Sequence, residues 1–193
     1  MKIKPMSHEE FTPEESLALI TEVIQEAKVR LEEDGLIYMM WGILLFVAST
    51  GQYLLFRMEQ WEINYYPYFL IPLGAIASQL YYARKQRRQS NQIMGTISVI
   101  WAIIGFNLML LGFFGWPLLK SSLLPISLIL LGIGVATVGQ VSKSRVFLLA
   151  GILINITGFV GFQLDWTNQP LLLGISSLLF IFGPGLVLQL QKR

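Results

Sequence analysis

Apolar residues in this chain come in six long blocks, each closed by a short polar or turn-forming stretch, and not at the period of two that marks a half-buried strand. The blocks run approximately from Leu36 to Phe56, Tyr65 to Ala83, Ile93 to Phe114, Leu123 to Val141, Val146 to Leu164 and Leu171 to Leu190. A hydrocarbon core about 30 Å thick takes roughly 20 apolar residues of helix to cross, and every block is of that order. The pattern predicts an all-α polytopic membrane protein with six transmembrane helices. Residues 1–35 form a cytoplasmic arm with an amphipathic helix, residues 36–193 the six-helix bundle, and no soluble domain is left over.

Ahead of the first block the period changes. Thr12-Pro13-Glu14-Glu15 reads as a helix start: Thr12 takes the N-cap, Pro13 the first helical position, and Glu15 closes a capping box. The helix should run to about Asp34 and stop at Gly35. Leu17, Ile20, Ile24, Ala27 and Leu31 follow at spacings of 3, 4, 3 and 4, so they share one face, with Glu15, Glu22, Glu26, Lys28, Arg30 and Glu32 between them. Three uses fit such a stripe: packing against the cytoplasmic ends of the bundle, a short coiled coil with a second copy, or a place on the membrane surface. The last fits least, because surface-lying helices carry Lys and Arg on their polar face and this one is largely acidic.

The six blocks group as three hairpins. Each odd helix is Gly-rich and leads to an outer turn holding a proline, at Tyr66-Pro67, Trp116-Pro117 and Gln169-Pro170, and each even helix ends in a basic inner segment. These prolines stand 50 and 53 residues apart. That is the rhythm of one helical hairpin used three times, and also the rhythm of any six-helix chain with short loops. Small residues at sevenfold spacing, Gly42 and Ser49, Gly105 and Gly112, Gly151 and Gly158, give each odd helix a thin seam, from which tight packing of the odd helices at the centre is expected. The nearest approaches to a Gly-x-x-x-Gly pattern are Gly132 to Ala136 and Gly74 to Ser78, and they do not point to a glycophorin-type dimer. Gly183-Pro184-Gly185 should kink the last helix, since Pro184 has no N–H for the carbonyl of Phe180 and its ring crowds that carbonyl.

The three-hairpin plan, with Gly-rich odd helices and a proline at each outer turn, resembles the small acid-resistance membrane protein family of bacteria, which have six spans in short repeats. Glu15-Ser16-Leu17-x-Leu19-Ile20, followed by Ala27-Lys28 and Trp41-Gly42, resembles the opening of small bacterial membrane proteins with no assigned activity. Neither resemblance supplies a site.

Composition agrees with a chain dissolved in lipid: 54% hydrophobic residues, 13% charged residues and a mean hydropathy of +0.59. Topology accounts for the net charge of +2, so no nucleic-acid partner is expected. Twelve of the fourteen Lys and Arg fall on one side of a six-span chain, namely Lys2, Lys4, Lys28, Arg30, Arg84, Lys85, Arg87, Arg88, Lys143, Arg145, Lys192 and Arg193, against Arg57 and Lys120 on the other. That excess puts both termini in the cytoplasm. The first residues show no removable signal peptide, so insertion would use the first span itself. Arg84, Lys85, Arg87 and Arg88, beside Tyr81 and Tyr82, are also candidate contacts for anionic lipid headgroups. Trp61, Tyr65, Tyr66, Tyr68, Trp116 and Trp166 are expected at the outer interface, and Tyr38, Trp41, Tyr81 and Tyr82 at the inner one.

Cysteine is absent and His8 is the only histidine, so one chain cannot assemble a disulfide, a thiolate or multi-histidine metal site, or a Cys-His pair, and no histidine falls in a span to pair with a serine there. No ionisable residue falls inside a predicted span away from its ends, and Asp165 stands alone in an outer turn. No cofactor, metal or enzymatic activity is expected. What remains is neutral: Asn107, Ser127, Asn155 and Thr157, with the Gly183-Pro184-Gly185 break, form a candidate polar cavity. Amides at such depth should point inward, to bond between helices or to line a path for a neutral solute or lipid. Two functions follow as expectations. One is a structural, stress-related or regulatory component that docks a cytoplasmic protein or a second copy through residues 13–34. The other is a small channel or transporter.

Overall fold

The structure, a computed structural model, describes Thr12, Pro13 and residues 17–19, 21–22, 35–85 and 92–191, without the side chains of 83–85, 92–94, 116 and 191. Its described elements are all helical. In chain order they are α1 (Gly35–Arg57), a 3-10 turn (Tyr66–Phe69), α2 (Leu70–Lys85), and α3 (Gln92–Leu110), which widens into a π turn (Leu111–Gly115) and a short helical turn (Trp116–Leu119). There follow α4 (Leu123–Val141), α5 (Arg145–Gly161) and α6 (Gln169–Ser177), which passes through a second π turn (Leu178–Phe182) into α7 (Gly183–Gln191). Four stretches are long and apolar enough to cross a membrane: Gly35–Arg57, Gly95–Gly115, Pro117–Val141 and Gln169–Leu190. The protein is an all-α, polytopic membrane protein.

Two of the expected spans come out short. The block from Tyr65 begins as a 3-10 turn around Pro67, which leaves α2 with 16 residues. The block to Leu164 ends its helix at Gly161, so α5 has 17. At ~1.5 Å per residue these are about 24 and 26 Å, less than a hydrocarbon core of about 30 Å. Helix length alone therefore carries four crossings, and the count of six and the hairpin repeat rest on the sequence pattern.

The tightest pairings are α4 with α5 and α1 with the α6–α7 tract, so both join helices from different predicted hairpins. Along α1, Gly35, Gly42 and Ser49 form a buried heptad seam. A Cβ on Gly35 would lie 2.7 Å from the Gly185 carbonyl oxygen, and one on Gly42 would lie 2.6 Å from the Phe182 nitrogen. Between α4 and α5 the contact is tighter still, with a Cβ on Gly151 falling against the Ala136 nitrogen and one on Gly139 against the Leu148 nitrogen. Real Cβ atoms do not approach backbone so closely, so these positions must be glycine for the helices to meet.

This corrects the expectation that odd helices pack on one another. The seams of α1 and α5 receive the last helical tract and α4, while Gly105 and Gly112 of α3 meet nothing within 4 Å. Gly132 to Ala136 and Gly74 to Ser78 are used inside the chain: the first faces Gly151 and Asn155 of α5, the second faces Trp41 and Leu44 of α1. Hydrophobic periodicity marks a thin face but cannot say which helix will lie against it.

Chain reversals are made locally. After α4, Lys143 adopts a left-handed φ of 54°, its N–H bonds the Gln140 oxygen, and the Ser144 N–H reaches back to Gly139 at 2.8 Å. After α1, Glu59 does the same at φ 57°, with Gln60 N–H bonded to Leu55 at 2.9 Å. Both are paired-hydrogen-bond helix stops of the Schellman type built without glycine, which satisfy two end carbonyls that lipid could not.

The aromatic belt is partly redrawn. Phe56, Trp61 and Trp166 form one cluster with ring centroids 4.9 to 5.5 Å apart, as interfacial anchors would. Tyr38 is instead buried, 4.5 Å from the Phe147 ring and 6.5 Å from Trp101. Trp41 donates its Nε1–H to Ser78 Oγ at 3.0 Å, and Tyr68 packs against the core. In each case a neighbouring helix covers a ring that the sequence would leave at the lipid interface.

Gly151→Val should lower stability by about 1–3 kcal/mol or prevent folding, because the added side chain meets backbone that cannot yield. Gly105→Ala, in open space, should leave stability unchanged or raise it by up to about 1 kcal/mol from helix propensity alone. Thermal unfolding of the two variants in detergent micelles checks the contrast.

Candidate functional site

Buried polarity in this bundle is arranged helix by helix. A hydroxyl or amide inside an apolar helix has one acceptor always within reach, the carbonyl a turn back. Asn107 Nδ2 donates to Ile103 at 2.8 Å, Ser127 Oγ to Leu123 at 2.8 Å, Asn155 Nδ2 to Gly151 at 2.9 Å, and Thr157 Oγ1 to Ile154 at 2.8 Å. Among the described residues no hydrogen bond joins any two of these four. Asn155 lies in the α4–α5 seam, where its amide fills the space left by Gly132. Asn107, expected inside, is on the exposed side of α3. The candidate cavity residues thus occupy separate seams and faces.

The Gly183-Pro184-Gly185 break is real, and its geometry is a π turn. With no N–H at Pro184 the regular bond to Phe180 cannot form, and the Gly183 N–H bonds instead to Leu178, five residues back. The widened turn brings α7 onto α1: Gly185 is buried, and a Cβ there would lie 2.8 Å from the Gly35 carbonyl oxygen and 2.9 Å from the Met39 nitrogen. Pro184 is buried with it. The break therefore serves close packing of the first and last helical tracts.

A second polar region, which the sequence does not single out, lies where α1 meets α6. Ser49 is fully buried and bonds the Leu45 carbonyl at 2.6 Å, and it lies beside Gly174, as does Thr50. One residue on, Gly51 packs on Pro67, and Gln52 Nε2 donates to Asn64 Oδ1 at 3.2 Å. In α6, Ser177 donates to Gly174 at 2.8 Å, while buried Gln169 bridges the carbonyls of Gly161 and Leu164 at 3.1 and 3.4 Å. The buried oxygens Thr50 Oγ1, Gln52 Oε1, Tyr68 OH, Ser176 Oγ and Gln189 Oε1 have no hydrogen-bond partner in the chain. Two small polar pairs inside apolar blocks, Ser49-Thr50 and Ser176-Ser177, are the signal that could have marked this region.

At the other candidate surfaces the description is partial. Arg84 and Lys85 are in the last turn of α2, and Arg87 and Arg88 lie outside the described residues. Of the predicted N-terminal stripe, Leu17 is described and is 65% exposed, in a helical stretch where Thr21 Oγ1 bonds the Leu17 carbonyl at 2.8 Å. Ile20, Ile24, Ala27 and Leu31 lie outside it. Among the described residues no group of three or more His, Cys, Asp or Glu is placed to hold a metal ion. No family model matches the chain, and no curated protein or solved structure matches it.

Ser176→Ala and Thr50→Val should leave stability within about 0.5 kcal/mol of wild type or raise it, since each removes a buried hydroxyl with no partner in the chain. Gln169→Leu should lower it by about 1 kcal/mol, because the Leu164 carbonyl loses its side-chain donor and the buried Gly161 carbonyl loses one of its two donors. Chemical unfolding in micelles separates the two classes.

Proposed function

We propose that the protein is a non-catalytic multi-pass component of the bacterial inner membrane, with both termini in the cytoplasm. It serves a structural, stress-related or regulatory role by docking a partner through its N-terminal helix. The observation that carries this reading is Leu17, the first residue of the apolar stripe, whose 65% exposure leaves it uncovered by the bundle. An apolar stripe at helical spacing whose first residue is left uncovered offers a surface to another helix. The partner is a cytoplasmic protein or the matching helix of a second copy. The excess of cations on the inner side of the six-span topology supports the orientation.

The absence of native cysteine makes this reading testable. Leu17→Cys in the full chain, treated in native membranes with a short bifunctional maleimide, should give a higher-mass product. Ile24→Asp in the same chain should remove it. A yield no greater than that of Glu59→Cys, in the loop after α1, would withdraw the helix as the docking element.

A second reading, a small channel or transporter for a neutral solute or lipid, draws support from the unpartnered buried hydroxyls of Thr50, Tyr68 and Ser176. Hydroxyls in that condition are what a passing polar solute would bond. On this reading, purified protein in liposomes conducts at least one of a panel of small neutral solutes above background, and Thr50→Val reduces that flux. Background flux across the panel removes it.

A further inference from the structure

The two asparagines near the middle of their helices meet opposite fates. Both spend one N–H on the carbonyl four residues back in their own helix. Asn155 is then covered by α4, whose Gly132 has no side chain to push it away. Asn107 has no such cover. It lies near the centre of the apolar Gly95–Gly115 stretch, on the side of α3 turned away from the bundle. The packed side of α3 is carried by Ile97 and Ile104, with Trp101 and Leu108. Among the described residues the Oδ1 of Asn107 and its second N–H meet no further partner, and in a span as apolar as Gly95–Gly115 the medium expected at that position is hydrocarbon. A carboxamide there needs one donor and one acceptor at its own depth.

We propose that a second copy of this chain supplies them, with α3 packing on α3 about a two-fold axis along the membrane normal. Such an axis places the two Asn107 side chains at the same depth by symmetry, and an amide is its own complement, since each carbonyl accepts from the other's N–H. No other partner is constrained to present the matching group at that level. The surrounding face fits the role. Ile103 and Leu110 lie four before and three after Asn107 on one helical face of α3, and they are 57% and 37% exposed. They give an apolar ridge on either side of one polar pair, the arrangement in which a lone asparagine fixes register between parallel helices. The contact is independent of the N-terminal helix.

The full chain, purified and reconstituted into phosphatidylethanolamine/phosphatidylglycerol liposomes, tests it. Leu110→Cys should form a disulfide-linked dimer on mild oxidation, far more readily than Ile156→Cys, on α5, whose side chain is apolar and more exposed. Asn107→Leu, combined with Leu110→Cys, should reduce the dimeric fraction as a roughly 3- to 30-fold weaker association, the span expected for interhelical amide bonds. Asn107→Gln should weaken it less. Because Asn107 bonds only its own backbone, Asn107→Leu should keep its helical content and thermal transition. If Leu110→Cys links no better than Ile156→Cys, or if its linking is indifferent to Asn107→Leu, the α3 interface is wrong. In native membranes, a Leu110→Cys product with the mass of a different protein would equally overturn the choice of a second copy.

Discussion

Close approach of backbones at glycine is the constraint on which the rest of this structure depends. Lipid tails are as apolar as leucine side chains, so helices in a membrane gain little by hiding apolar surface from their surroundings and must gain instead from contact itself. Contact is densest where side chains are smallest. The α4–α5 and α1–α6/α7 pairs meet at Gly139, Gly151, Gly35, Gly42 and Gly185, where an added Cβ would overlap backbone across the interface. The larger buried residues, Phe147, Ile154, Leu173 and Ile181 among them, fill the spaces beside those seams.

Polar groups follow from the same setting. With no water to accept a proton, the nearest carbonyl takes it, and Ser49, Ser78, Ser127, Ser142, Asn155 and Ser177 all bond within their own helices. The unpartnered buried atoms, Thr50 Oγ1, Gln52 Oε1 and Ser176 Oγ among them, are all oxygens, and the hydroxyls among them leave donor and acceptor alike unused. Between helices, Trp41 donates to Ser78 and so ties α2 to α1. The fold is held by shape, with hydrogen bonding mostly retained inside each helix.

What the sequence made legible follows from this division. Run length located the four long apolar stretches, because the need for continuous apolar backbone in lipid is local to the chain. Sevenfold small residues marked the real seams on α1 and α5, since a seam is a property of one helix face. Which helix fills a seam is a property of two, and there the pattern ran out: α1 meets the far end of the chain, and Gly105 and Gly112 meet nothing. The same gap misplaced Tyr38, Trp41 and Asn107, whose neighbours a single helix pattern does not show. Pro184 shows the converse. Its missing N–H made the break legible, while the use of that break, bringing Gly185 against Gly35, depends on a residue 150 positions away.

The packing also divides the bundle by how much each helix would lose in leaving it. The α4–α5 and α1–α6/α7 pairs are sealed by backbone contact, and a shift of one helix by an ångström would open the seam along its length. At the edges, α2 is notched onto α1 at Gly74 and turns Phe69, Leu73, Ile76 and Leu80 outward, and α3 rests on α4 by one face, with Ile104 against Gly134. All three glycines that meet no neighbour within 4 Å, Gly95, Gly105 and Gly112, belong to α3. Glycine in a helix costs about 1 kcal/mol relative to alanine, and on the other helices close packing offsets that cost. On α3 nothing within the chain does. Local stability is lowest where few contacts hold an element, so recruitment of a partner or a change of shape would start at α2 and α3, leaving the sealed pairs as the fixed frame.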